Sequence, residues 1–254
     1  MQLVDSHSHF DADEFDGDRE AALTSARDAG VQRQVLPAVT ETSWSKLRDV
    51  CSQHEGLHPA YGLHPLYLQY HRARHLDALR DWIERERPVA IGECGLDFYV
   101  EGLDADTQHR YFNAQLQLAR EFDLPVIVHA RRAVEAVIVA IKRVGHLRGV
   151  VHSFPGSEEQ ARQLWNLGFM LGIGGPVTYE RANRLRRLVA TMSIEHLLLE
   201  TDSPDQPDAF HRGQRNEPSR LPIVLRTIAG LRGESEEVVA AATTANAERL
   251  FGLR

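Results

Sequence analysis

The sequence predicts an α/β fold, a single-domain (β/α)8 TIM barrel spanning residues 1–254. Three observations predict it. Short apolar runs of β character alternate with longer amphipathic stretches from end to end, the pattern that builds a parallel sheet wrapped in helices. No low-complexity tract or linker divides the chain, and α/β barrels of about this length are routinely one domain. Histidines and carboxylates fall where the apolar runs end, which is where this fold carries its chemistry.

The runs lie, in order, in LVDSHSH, RQVLPAV, HPAYGLH, PVAIGEC, LPVIVHA, GVVHSF, GFMLGIGG and HLLLETD. Between them, Thr107 to Phe122 and Ala133 to Val144 repeat apolar residues at helical spacing. Ser157 to Gln160, reading SEEQ, has the form of a capping box that opens another helix. The seventh run is the weakest strand, because its glycines have no side chain to pack.

Composition narrows the function classes. The chain is 43% hydrophobic and 26% charged, and no apolar run is long enough to cross a bilayer. Met1 is followed within a few residues by Asp5, not by a basic segment and an apolar core, so the expectation is a cytoplasmic protein without a membrane partner. Cys51 and Cys94, the two cysteines, are too few for a disulfide framework and are read as reduced. A formal charge of -7 excludes a broad duplex-binding surface while leaving room for a local phosphate site.

The opening VDSHSHF places Asp5, His7 and His9 at alternate positions, so an extended chain points all three the same way. Two close imidazoles can hold a first-row transition metal, although two ligands do not make a site. The other run ends supply more: His64 after the third, Glu93 at the fourth, His129 at the fifth, His152 at the sixth and Asp202 at the eighth. A buried rim of this composition without a cation would leave carboxylates and imidazoles unpaired, at several kcal/mol each by order of magnitude.

Six donors exceed the three protein ligands that one catalytic zinc takes, so two divalent cations fit better. Glu93, from the middle of the barrel, is the candidate bridge. His7, His9 and Asp202 would hold one ion, and His129 and His152 the other. A bridging modified lysine is disfavoured, because neither Lys46 nor Lys142, the only lysines, ends a strand. Paired metals activate water and steady both oxygens of a displacement, so hydrolysis is the expected reaction. Glu93 and Asp202 are the catalytic candidates, with Asp202 placed to take the proton of the attacking water. Mixed nitrogen and carboxylate donors suit zinc and manganese, and magnesium less naturally.

Together these motifs resemble the TatD family of metal-dependent deoxyribonucleases, within the amidohydrolase superfamily. The resemblance spans the chain through DSHSHF, GLHP, GECGLDFY, HARRA, HSFPGS, ETDSP and RNEP, in this order and spacing. It implies the barrel, a two-cation site and hydrolysis of DNA phosphodiester bonds. By motif, His7, His9, Glu93, His129, His152 and Asp202 match its metal-binding positions. Cys94, Pro155 and the lack of an aromatic in ETDSPDQP depart from the family pattern, and the last two lie beside the expected substrate.

Around this core, His64 and Arg131 are candidate substrate-phosphate contacts, and Tyr99 a candidate ring for base stacking. Phe98 is read as packing in the core, and Asp5 as orienting a histidine. Arg212 and Arg215 are candidates for local phosphate steering, whereas Arg181, Arg184 and Arg187 read as a solvated helix face. A compact mouth in an acidic protein favours exonuclease action on single-stranded DNA or on DNA ends. The alternatives are a metal-dependent deacylase acting on, for example, aminoacyl esters, and a noncatalytic metal-binding barrel. Nothing in the sequence indicates oligomeric state.

Overall fold

The computed structural model describes residues 1–253, and its strands form where the apolar runs are buried. Eight parallel strands follow one another around the sheet in chain order. They are β1 (Leu3–Asp5), β2 (Val31–Pro37), β3 (Leu57–Tyr61), β4 (Ala90–Asp97), β5 (Val126–Arg131), β6 (Gly149–Val151), β7 (Phe169–Ile173) and β8 (Leu197–Leu199). The helices between them are α1 (Arg19–Asp28), α2 (Trp44–Gln53), α3 (Arg74–Glu86), α4 (Ala105–Phe122), α5 (Val134–Val144), α6 (Glu158–Asn166) and α7 (Asn183–Thr191). After β8 come α8 (Leu221–Arg232) and α9 (Glu236–Phe251). The architecture is the expected single-domain (β/α)8 barrel. None of the described helices is long and apolar enough to cross a membrane.

Closure of the barrel depends on the first and last strands. Ser6 N donates to the Leu199 carbonyl at 2.9 Å, and Thr201 N and Oγ1 donate to the Asp5 carboxylate at 2.9 and 2.6 Å. Asp5 also accepts from the main-chain N of His7 at 3.3 Å, so it fixes backbone and not, as expected, an imidazole ring. Burial pushes its carboxyl up to about 8 against the opposing pull of the Thr201 hydrogen bonds.

One apolar residue from each strand, Val4, Val35, Ala60, Ala90, Ile127, Val150, Met170 and Leu198, meets Leu250, Phe251 and Leu253 at the end of the chain. The last turn of α9 thus plugs one end of the barrel, and the opposite, C-terminal end of the strands is left for chemistry. Local signals behave as read. Ser157 and Gln160 form the reciprocal capping box of α6, and α4 starts at Ala105 because the Asp104 side chain accepts from Thr107 N. The glycine-rich seventh run does form β7. At Gly172 a Cβ would lie 1.9 Å from Glu200 Oε2, so the missing side chain makes room for a buried carboxylate.

Candidate metal centre

β1 ends at Asp5, so His7 and His9 stand on the loop beyond it, while β4 continues past Glu93 to Asp97. Glu93 therefore projects from mid-strand toward the barrel axis, 1% exposed. Its two oxygens face different sets of rings. Oε2 lies 3.2 Å from His7 Nε2 and 3.3 Å from His9 Nε2. Oε1 lies 2.8 Å from His152 Nε2, 3.1 Å from His129 Nδ1 and 3.0 Å from His64 Nε2. Asp202 joins the first set, its Oδ1 3.3 Å from His7 Nε2 and 3.7 Å from His9 Nε2.

The far side of each ring decides which nitrogen can bind a cation. His9 Nδ1 lies 3.1 Å from the Pro37 carbonyl, an acceptor only, so Nδ1 carries the proton and Nε2 turns a lone pair to the cluster. His129 is the converse: its Nε2 meets the Asp97 carboxylate, which leaves Nδ1 free to ligate. His152 turns Nδ1 toward Glu200 Oε1, 3.7 Å away, and Nε2 inward. His64 differs. Its Nδ1 accepts from Leu66 N at 3.2 Å, so in the neutral ring Nε2 holds the proton and donates to Glu93. His64 is thus a hydrogen-bond donor inside the cluster, closer to the metal positions than the sequence suggested.

The donor set fits metal ions. His7 Nε2 and His9 Nε2 approach to 3.2 Å, and both aim at the same carboxylate oxygens. Three triads have ligand atoms within 4.8 Å of one another: His7–Glu93–His152, His7–His9–Asp202 and His64–Glu93–His129. Imidazoles and carboxylates converging from five strands are the ligands of zinc-like and manganese-like ions. Burial would raise the Glu93 carboxyl, but the His64, His152 and His7 rings outweigh it and hold Glu93 well below the ordinary carboxylate range. Asp202 is pushed up to about 6 by burial, against the attraction of His152 and His9.

Supporting groups hold this geometry under strain. Asp202, Ser153 and Gln206 have left-handed φ of 57°, 43° and 49°, a cost that functional sites commonly carry. Gln206 Nε2 donates to Asp202 Oδ2, and Ser153 N donates to Glu200 Oε1 at 2.6 Å. The sequence reading missed Asp97 and Glu200. Asp97 was within reach, since alternation along β4 puts 93, 95 and 97 on one face. Gly95 between them has φ +147°, and a Cβ there would lie 2.0 Å from the His129 carbonyl.

The cluster opens into a cavity of about 1650 Å³. His64 and Arg131 border it, as expected, but Tyr99 does not. The extension of β4 beyond Glu93 carries Tyr99 past the rim, 47% exposed, with the Arg131 guanidinium 3.7 Å from its ring centroid. Phe98 is exposed and not in the core. Tyr67, beside His64, does line the mouth, as does the buried Phe154. Arg215 is occupied by Asp18 and Glu217, whereas Arg181, Arg184 and Arg187 border the cavity where a solvated face was expected. Cys94 points away from the cluster, its Sγ 3.8 Å from the Ile127 carbonyl.

A closed barrel whose strand ends converge on imidazoles and carboxylates defines the class: a metal-dependent hydrolase. The chain belongs to the TatD-related DNase family, whose profile matches residues 4–252. It is 37% identical to the uncharacterized metal-dependent hydrolase YjjV of Escherichia coli over 99% of this chain and 98% of that protein. The crystal structure of YjjV superposes with a TM-score of 0.96 at 36% identity, covering 99% and 98% of the two chains. The protein named 3'-5' ssDNA/RNA exonuclease TatD of Pantoea ananatis is 35% identical over 94% of this chain and 95% of its own.

Proposed function

We propose that this protein is a two-cation phosphodiesterase that removes nucleotides from an end of single-stranded DNA. The observation that carries the reading is the division of Glu93: Oε2 serves the His7, His9 and Asp202 side, and Oε1 serves the His129 and His152 side. His7, His9 and Asp202 would hold one cation, His129 and His152 the second, and Glu93 both. When bound, two such cations supply Lewis acidity toward a phosphate and lower the pKa of water from 15.7 toward about 7.

The chain's own groups do the rest. Asp202 is positioned to accept a proton at Oδ1, held by Gln206 through Oδ2. His64 donates Nε2–H to Glu93 Oε1 and so holds the shared carboxylate, and the Tyr67 ring beside it offers a stacking face for a base. The recessed floor admits a splayed strand more readily than the wide cylinder of a duplex. The acidic overall charge also disfavours long duplex contacts. The name of the Pantoea relative, which includes RNA, supports a single-stranded polynucleotide substrate.

The test is a time course on a labelled linear oligodeoxynucleotide, its duplex, a circular single strand, an oligoribonucleotide and small carboxylic esters, with zinc or manganese supplied. A stepwise ladder from one end of the linear strand is expected. Equal attack on the circle would replace exonuclease with endonuclease action, and ester hydrolysis alone would make the protein a deacylase.

A further inference from the structure

Three arginines at and just before α7 share one wall of the cavity. Arg181 precedes the helix and Arg184 and Arg187 lie on it, three residues apart, and all three border the cavity that contains His9, Glu93 and Asp202. Some surface arginines are matched to carboxylates, as Arg80 is to Glu121, Arg148 to Asp123 and Arg162 to Glu159. Among the described residues, none of the three on the cavity wall has an acidic partner within 4.0 Å. Two of them are positioned without being neutralised. Arg184 Nη2 donates to the Pro155 carbonyl, on the loop after β6, and the Arg181 guanidinium lies 5.4 Å from the Tyr179 ring centroid.

The part of the rim after β1, two strands round from β7, has the opposite sign. Asp11, Asp13 and Glu14 border the same cavity, where Lys46 pairs with Asp13. A polyanion entering the mouth is therefore drawn to one side. The cavity, at about 1650 Å³, also exceeds the ~300–1,000 Å³ of ordinary small-ligand sites. Its size fits a substrate that extends beyond the residue being cleaved.

We propose that Arg181, Arg184 and Arg187 form a phosphate-binding rail for the uncleaved part of a single-stranded polynucleotide, directing the strand out over α7. This rests on the phosphodiesterase reading above. Guanidinium forks suit phosphate oxygens, and a row of them carries no base specificity, as stepwise removal of successive nucleotides requires. Tyr67, near the metal cluster, meets the terminal nucleotide, and the rail meets those that follow.

The test compares Arg181→Gln/Arg184→Gln/Arg187→Gln with a charge-matched Arg80→Gln/Arg148→Gln/Arg226→Gln control, both zinc-loaded. Binding is read by fluorescence anisotropy on a labelled phosphorothioate dodecathymidylate across a salt series. Loss of three phosphate contacts flattens the log-affinity against log-salt slope by about 2, at ~0.7 per contact for single strands. The control keeps the wild-type slope. In turnover, KM for a dodecathymidylate rises about tenfold with little change in kcat, while the effect on bis(p-nitrophenyl) phosphate, too short to reach α7, stays below about twofold. Unchanged slope and KM in the rail variant would overturn the proposal, as would equal losses on the long and short substrates. Failure of the wild type to cleave any phosphodiester would instead sink the enzymatic reading, and the binding slope would still decide the rail.

Discussion

His129 Nε2 lies 2.9 Å from Asp97 Oδ2, on the side of the ring away from Glu93. Asp97 is itself locked, its Oδ1 accepting from Tyr99 N at 2.9 Å and Val100 N at 3.0 Å. A fixed carboxylate behind the ring selects the tautomer whose Nδ1 lone pair faces Glu93 and His152, and raises its basicity as a ligand.

Asp97→Asn should therefore weaken metal affinity by about 10–100-fold, the usual cost of losing an outer-shell carboxylate. Competition against a chromogenic chelator measures it, with circular dichroism to confirm an intact barrel. Affinity equal to wild type would show that His129 needs no carboxylate to be oriented.

Glu93 serves both sets of donors, so its loss should affect both cations. Protein freed of metal by chelation and titrated with zinc or manganese should approach two equivalents and recover activity with them. Glu93→Gln should lose turnover by more than the ~100-fold upper range of an outer-shell change while keeping its far-ultraviolet spectrum. A firm single equivalent in the wild type, or near-normal turnover in the variant at saturating metal, would remove the bridge.

His64 tests the distinction between ligand and donor. Because its Nδ1 accepts from Leu66 N, His64→Ala should leave metal stoichiometry at two equivalents while turnover falls by about 10-fold or more, in proportion to a lost charge-assisted hydrogen bond. His64→Gln, which retains an N–H donor, should recover part of it. Loss of one metal equivalent in His64→Ala would make this ring a ligand.

Away from the site, His58 on β3 gives a stability prediction with a defined sign. Burial, aided by the nearby Arg33 cation, holds its imidazole below the ordinary value of 6.5. The unfolded chain then binds the proton more readily. Its contribution is complete above about pH 6.5 and is lost as the pH falls toward the depressed folded value. Urea midpoints at pH 7.5 and 5.5 should differ more for wild type than for His58→Leu. Equal pH dependence in the two proteins would exclude His58 as a source.

The sequence by itself determined the barrel and the identity of the converging side chains. Both are written locally, in the alternation of apolar runs with amphipathic stretches and in polar residues placed at the ends of those runs. His7, His9, Glu93, His129, His152 and Asp202 could be named because each lies in the middle of a strand, toward its C-terminal end or just after it. The roles of neighbouring groups were decided by tertiary structure. Whether His64 ligates or donates depends on Leu66 N, and whether Asp5 orients a ring or closes the barrel depends on Thr201, far along the chain. Tyr99 was carried beyond the rim by the length of β4, and Arg181, Arg184 and Arg187 were turned into the mouth by the path of the chain from β7 into α7. Strand and helix periodicity fix which face a residue occupies, but what that face meets is set by contacts between residues distant in sequence, which no local pattern encodes.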